Sequence, residues 1–171
     1  MASALKNLSE YDEKNLASAE KMTFGIVVSD WNPKITHALY EGAYDTLIKH
    51  GAKSEKIHTL QVPGAFELPM GAKLSIKCDK PDVVICIGCV IKGETAHNEY
   101  INRSVSSALM QLSLMTDIPC IFGLLTPNDE QQAKDRAGGK HGNKGVEAAV
   151  TAIRMVALEE EISQQKAKIG Y

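Results

Sequence analysis

The feature that most restricts this chain is the run Asp82-Val83-Val84-Ile85-Cys86-Ile87-Gly88-Cys89-Val90-Ile91. After its first residue it is apolar at both parities. A strand with one wet face alternates, whereas a strand of this kind needs cover on both faces, as in parallel sheets. The run is also far too short to span a bilayer. A fold that holds it must place helices above and below a sheet.

The rest of the chain has the elements to do so. Phe24 to Ser29, Ile57 to Val62 and Pro119 to Leu124 read as three further strands. Helical patterns lie between them. Asn32-Pro33 offers an N-cap and the favoured first-turn proline, Ile35, Leu39, Ala43 and Leu47 recur every fourth residue, and Gly51 ends the pattern. A helix follows Gly64, with Pro69 tolerable only in its first turn. Thr95 is placed to cap a helix striped by Ile101, Val105, Ala108, Leu112 and Met115. Asn128 and Gln131 resemble a capping box ahead of a short helix closed by Gly138-Gly139. A last helix is expected from about Asn143 to Ile162, with Val146, Val150, Ile153 and Ala157 on one face. Strands alternating with helices predict an α/β fold of three layers, α/β/α, around a four-stranded parallel sheet. The expected divisions are an N-terminal arm over 1–21, anchored by Leu5, Leu8 and Leu16, one domain over 22–162, and a polar tail over 163–171.

Charge and cysteine usage remove several functions. The chain has 171 residues and a net charge of −2, without the basic stripe of a nucleic-acid binder. Its first residues lack the long apolar stretch of a signal peptide, so the expected compartment is the cytoplasm, with no membrane partner. Cys86-Ile87-Gly88-Cys89 is formally a CxxC, but residues three apart on a strand face opposite ways. The four cysteines, at 78, 86, 89 and 120, are therefore expected to be reduced structural thiols, with no metal site.

In open parallel sheets, ligands bind beyond the carboxyl ends of the strands. The segments there are Asp30-Trp31-Asn32, Pro63 to Glu67, Lys92 to His97 and Thr126-Pro127-Asn128. Trp31, the only tryptophan, and Phe66 stand at this rim, with Phe122 close to it, which suggests a pocket for a flat ligand. His97 falls in the first turn of its helix, where the dipole favours a neutral ring able to accept and relay a proton. Backbone N–H groups from Glu94-Thr95 onward are placed to hold a phosphate. Arg136 suits a helix C-terminus and becomes a phosphate ligand if one lies within reach. His37, His50 and His58 have no acidic or Cys partner at ligand spacing and read as structural or solvated. The glycine-rich stretch around His141, from Gly138 to Gly145, is neither a Walker loop nor a dinucleotide fingerprint.

Taken together, four blocks resemble the lumazine synthases: Trp31-Asn32; Val62 to Pro69; Gly88 to His97; and Ile121 to Thr126 continuing to Gln132-Ala133, Arg136-Ala137-Gly138 and Gly142 to Gly145. The resemblance covers about residues 22 to 158. It implies a flavodoxin-like fold and the condensation of 5-amino-6-(D-ribitylamino)uracil with 3,4-dihydroxy-2-butanone 4-phosphate to 6,7-dimethyl-8-ribityllumazine, with phosphate and water released. It implies no cofactor, metal or redox. By the same resemblance, Trp31 stacks on the pyrimidine, Ala65, Phe66 and Glu67 bind the ribityl chain, and Cys89, Val90 and Ile91 line the uracil edge. Glu94 and Thr95 offer backbone N–H groups to the phosphate, and His97 transfers protons. Phe122 closes the ring pocket, Arg136 grips the phosphate, and Lys144 lies near the ring system. Trp31 stands where relatives often have Phe, Glu94 where many have a small residue, and Asn98 where an aromatic is frequent. The family forms pentamers whose sites lie between neighbours, the Phe122 and Arg136 segments meeting the His97 side of the next subunit. Some members join twelve pentamers into a shell, and the short turn from Arg136 to Asn143 points that way. Association with riboflavin synthase belongs to the same picture. The alternative reading is a noncatalytic flavin- or lumazine-binding shell protein.

Overall fold

The two-sided apolar run becomes an inner strand. In the computed structural model, which describes residues 7–169, β1 (Phe24–Ser29), β2 (Ile57–Val62), β3 (Val83–Cys89) and β4 (Cys120–Leu125) form one parallel sheet in the order β2-β1-β3-β4. Every residue of β1 and β3 is buried, as inner strands require. Helices α1 (Pro33–Lys49), α2 (Leu68–Asp79), α3 (His97–Thr116), α4 (Glu130–Asp135) and α5 (Lys144–Ile169) complete the chain.

Strand parity sorts the side chains between two cores. Phe24, Ile26, Val28, Val83, Ile85, Ile87 and Cys89 meet Ile35, Leu39, Ala43 and Leu47 of α1 and Ala149, Ile153 and Val156 of α5. Val27, Val84 and Cys86 point to the opposite face and meet Leu68 and Ala72 of α2 and Val105 and Leu109 of α3. Cys86 and Cys89 thus end in different cores, and all four cysteines are free. Fully buried aliphatics such as Ile85 and Ile87 are each worth about 2–5 kcal/mol against truncation to alanine. The expected three-layer fold is the observed one.

Several local expectations are corrected. Asn32 occupies the N-cap position of α1 but adopts a left-handed conformation (φ 61°) and does not cap; its Nδ2 donates instead to the Cys89 carbonyl at 2.9 Å. Thr95 does not cap α3, which begins at His97; Thr95 Oγ1 accepts from the His97 N–H at 3.4 Å. The box ahead of α4 shifts by one residue: Asp129 Oδ1 accepts from the Gln132 N–H, and Gln132 Oε1 accepts from the Asn128 N–H. Met115 leaves the α3 stripe and is 82% exposed, because Val105 and Leu109 define the buried face. The glycine-rich stretch forms a small antiparallel hairpin, β5 (Ala137–Gly139) and β6 (Gly142–Asn143), and α5 runs on past residue 162.

The arm docks on its own chain. The Tyr11 hydroxyl meets His50 Nε2 at 2.9 Å, the Ala19 N–H donates to the His50 carbonyl, and Ala19 and Met22 are buried. His50 is thus structural, and burial holds its pKa below the usual histidine value, with Lys49 nearby adding to the effect. Leu5, one of the expected anchors, lies outside the described residues.

Candidate active site

The carboxyl ends of β1, β2 and β3 open into a cavity of about 710 Å³. Trp31, Ala65, Phe66, Glu67, Cys89, Val90, Ile91, Thr95 and His97 all line it. They converge for a topological reason. β1 lies between β2 and β3, so the segments following these three strands emerge side by side. The Asn32 bond to the Cys89 carbonyl ties the segment bearing Trp31 to the end of β3. Trp31 and Phe66 are 72% and 59% exposed, far beyond what core packing leaves, and offer flat apolar faces to the cavity. Ala65, at the start of a short 3-10 turn (Ala65–Glu67), is buried beneath them. His97 begins α3 with an exposed ring. Gly93 and Thr95 line the wall, whereas Glu94 between them is not among the lining residues.

Phe122, Arg136 and Lys144 lie elsewhere. They line a second cavity, of about 1350 Å³, along β4 between α3 and α5. Phe122 belongs to the edge strand, paired only with Cys86 of β3 on its inner side, and is partly exposed. Arg136 follows α4, and its Nη1 donates to the Gln132 carbonyl at 3.1 Å. Lys144 begins α5, and its Nζ donates to Glu147 Oε1 at 2.5 Å. The Lys144 N–H donates to the Arg136 carbonyl, so both cations are tied across the base of the β5–β6 hairpin. Exposed Met110, Leu114, Met155, Leu158 and Ile162 surround this second cavity with apolar surface.

Trp31, Ala65, Phe66, Glu67, Cys89 and His97 thus share one cavity, and Arg136 and Lys144 share another with Phe122. A family model described as 6,7-dimethyl-8-ribityllumazine synthase matches residues 21–160. The chain belongs to that family. It is 52% identical to the 6,7-dimethyl-8-ribityllumazine synthase of Flavobacterium psychrophilum over 161 residues, 94% of this chain and 85% of that one. It is 53% identical to the protein of the same name from Parabacteroides distasonis, over 91% of this chain and 98% of the other. The corresponding protein of Phocaeicola vulgatus is 51% identical over 96% of this chain and 98% of its own length.

The thiol in this family member's first cavity is kept neutral. Burial pushes Cys89 up to about 12, so it presents an uncharged, apolar edge. Burial also raises Cys86 well above the ordinary thiol value, with Cys120 adding to the effect. No helix among the described residues is long and apolar enough to cross a membrane.

Sequence reasoning missed some lining residues. Tyr100 and Ile101 line the first cavity, and Tyr100 is 73% exposed. Helical spacing could have found Tyr100, since it lies three residues after His97 on the same face. Asn98 also lines this cavity, and its buried Oδ1 has no hydrogen-bond partner. In the second cavity Glu147 was missed, and Gln132 and Leu8, read from the sequence only as part of a family block and as an arm anchor, line it too. Leu8 reads as an anchor from its apolar side chain, but the surface it anchors to depends on how the arm docks.

Proposed function

We propose that this protein makes 6,7-dimethyl-8-ribityllumazine from 5-amino-6-(D-ribitylamino)uracil and 3,4-dihydroxy-2-butanone 4-phosphate, as the transferase of riboflavin biosynthesis that its family name describes. The observation that carries the reading is that a member of this family brings Trp31, Phe66, Glu67 and His97 into one cavity. Trp31 stacks on the pyrimidine, Ala65, Phe66 and Glu67 hold the ribityl chain, and Cys89, Val90 and Ile91 line the uracil edge. Cys89 suits its place because a neutral thiol does not repel the electron-rich ring edge.

The chemistry is a sequence of proton transfers. The amine attacks the ketone, and a first water leaves as the imine forms. Phosphate is eliminated to leave an enol that tautomerises to a ketone, and the ribitylamino nitrogen attacks that carbonyl and closes the ring with loss of a second water. His97, exposed at the cavity wall, takes and returns the protons. Holding the two reactants together supplies much of the remaining acceleration. Backbone N–H groups at Glu94 and Thr95 and the Arg136 guanidinium hold the phosphate. Phe122 closes the ring pocket, and Lys144 lies beside it.

Within one chain Phe122, Arg136 and Lys144 lie apart from the first cavity, so a second copy completes each site. The exposed edge of β4 and its rim of Met110, Leu114, Leu158 and Ile162 suit such a contact, since open edges and apolar patches favour association. A cyclic pentamer is the assembly, with twelve pentamers forming a shell able to associate with riboflavin synthase in the cytoplasm. The noncatalytic alternative does not account for the presence of His97, Arg136 and Lys144 together.

Incubation with both substrates, followed by absorbance, tests the activity; flavin binding without lumazine formation refutes it. Mass measurement of the same sample tests the assembly. A monomer that is fully active refutes the shared site.

A further inference from the structure

The N-terminal arm is bonded to the turn that carries Arg136 and Lys144. Arg136 lies just before the β5–β6 hairpin and Lys144 just after it, and their backbones are joined by the Lys144 N–H to the Arg136 carbonyl at 2.9 Å. Two other holds fix this turn from the body of the domain. Asn143 Nδ2 donates to the Ala38 carbonyl of α1, and the His141 N–H donates to the Asp135 carbonyl of α4. The remaining side is held by the arm. The Leu8 N–H donates to the His141 carbonyl at 2.8 Å, and Ser9 Oγ accepts from the Asn143 N–H at 2.9 Å. Asn7 Oδ1 accepts from the Ser9 N–H at 2.9 Å and so orients the loop. Gly142 makes the approach possible: its φ is +78°, and any side chain there would collide with Asn7 and Ser9. Leu8 then forms part of the cavity wall that also contains Arg136 and Lys144.

We propose that Asn7 to Ser9 sets the position of the Arg136–Lys144 turn, and that Ser9 is a positioning residue for the phosphorylated substrate. The proposal rests on the function assigned above, in which Arg136 holds the phosphate. Ser9 touches no reactant; it acts through the Asn143 N–H, one residue before Lys144. Loss of its hydroxyl leaves that half-buried N–H without a partner and frees one side of the turn. Binding of the phosphate end weakens, whereas Trp31, Phe66 and His97, on the other cavity, are untouched.

The test compares full-length wild type with Ser9→Ala, Ser9→Thr and Glu13→Gln. Glu13 pairs with Lys49 at 2.6 Å elsewhere along the arm, so its variant loosens docking away from the turn. In Ser9→Ala the KM for the phosphorylated substrate should rise about threefold to tenfold, the range of one side-chain-to-backbone hydrogen bond. Its kcat should not change, and its KM for the ribitylaminouracil, whose ring only Lys144 of this turn adjoins, should rise clearly less. Ser9→Thr, which keeps a hydroxyl, should recover most of the loss, and Glu13→Gln should match wild type. An unchanged KM, an equal rise for both substrates, or the same rise in Glu13→Gln overturns the proposal. A wild type that turns over neither substrate refutes the assigned function instead. Titration with inorganic phosphate then judges the arm separately: weaker binding by Ser9→Ala supports it, and equal binding overturns it.

Discussion

Mixing two crippled variants tests the shared site most directly. His97 lines the cavity over β1, β2 and β3, whereas Arg136 lines the one along the β4 edge. His97→Ala should slow turnover about 10- to 1000-fold, since proton transfer is only part of the acceleration. Arg136→Ala removes a charge-assisted grip worth about 1.5–3 kcal/mol, or about 10- to 150-fold at low phosphorylated substrate. In the proposed ring each site would draw His97 from one chain and Arg136 from its neighbour. If the two variants assemble randomly in equal numbers, about half the chains offer an intact His97 and about half an intact Arg136, so about one quarter of the sites hold both. Co-expressed variants should therefore recover about one quarter of wild-type activity at low phosphorylated substrate, well above the parental mean, which these losses keep below about one tenth. The assay is lumazine absorbance on purified mixed assemblies, with parents mixed after purification as the control. A co-expressed sample no more active than the parental mean places the whole site within one chain and refutes the reasoning.

Three further outcomes follow from the same geometry. Trp31→Ala should raise the KM for the ribitylaminouracil about tenfold, as stacking of a base on an aromatic ring is worth about 1–3 kcal/mol, and leave the KM of the phosphorylated substrate unchanged; steady-state kinetics varying each substrate in turn reads both. Arg136→Ala should do the reverse, and a rise confined to the uracil substrate would show the phosphate assignment to be wrong. The contribution of Cys89 to stability should be flat in pH below the unfolded thiol value of about 9 and be lost as pH climbs toward about 12, because unfolded Cys89 ionises in that window while the folded thiol stays protonated. Chemical denaturation at stepped pH reads this slope, which Cys89→Ala should reduce.

Much of the fold was legible because its signals are local. The α1 stripe of Ile35, Leu39, Ala43 and Leu47 needs only helical periodicity, and all four are buried. The opposite facings of Cys86 and Cys89 need only strand parity. The misses have a common cause. Asn32, Thr95 and Asn128 all have side chains that suit a helix start, but local preference does not say what else lies within reach. Asn32 finds the Cys89 carbonyl, far away in sequence, and gives up capping. Met115 fits the α3 period but falls off the face on which Val105 and Leu109 are buried.

The sequence by itself determined that a strand apolar on both faces must be covered twice, that the sheet is parallel, and that Trp31, Phe66 and His97 stand at strand ends. These follow from periodicity and from the chemistry of single residues. Only the tertiary structure decided which of them meet. The order β2-β1-β3-β4 gathers three strand ends around one cavity and leaves β4 at the edge, so Phe122, Arg136 and Lys144 face a different surface. It alone also brought Ser9 to Asn143, a contact between residues 134 positions apart. Strand order and arm docking are set by the summed burial of many distant side chains, and no short stretch of sequence contains that sum.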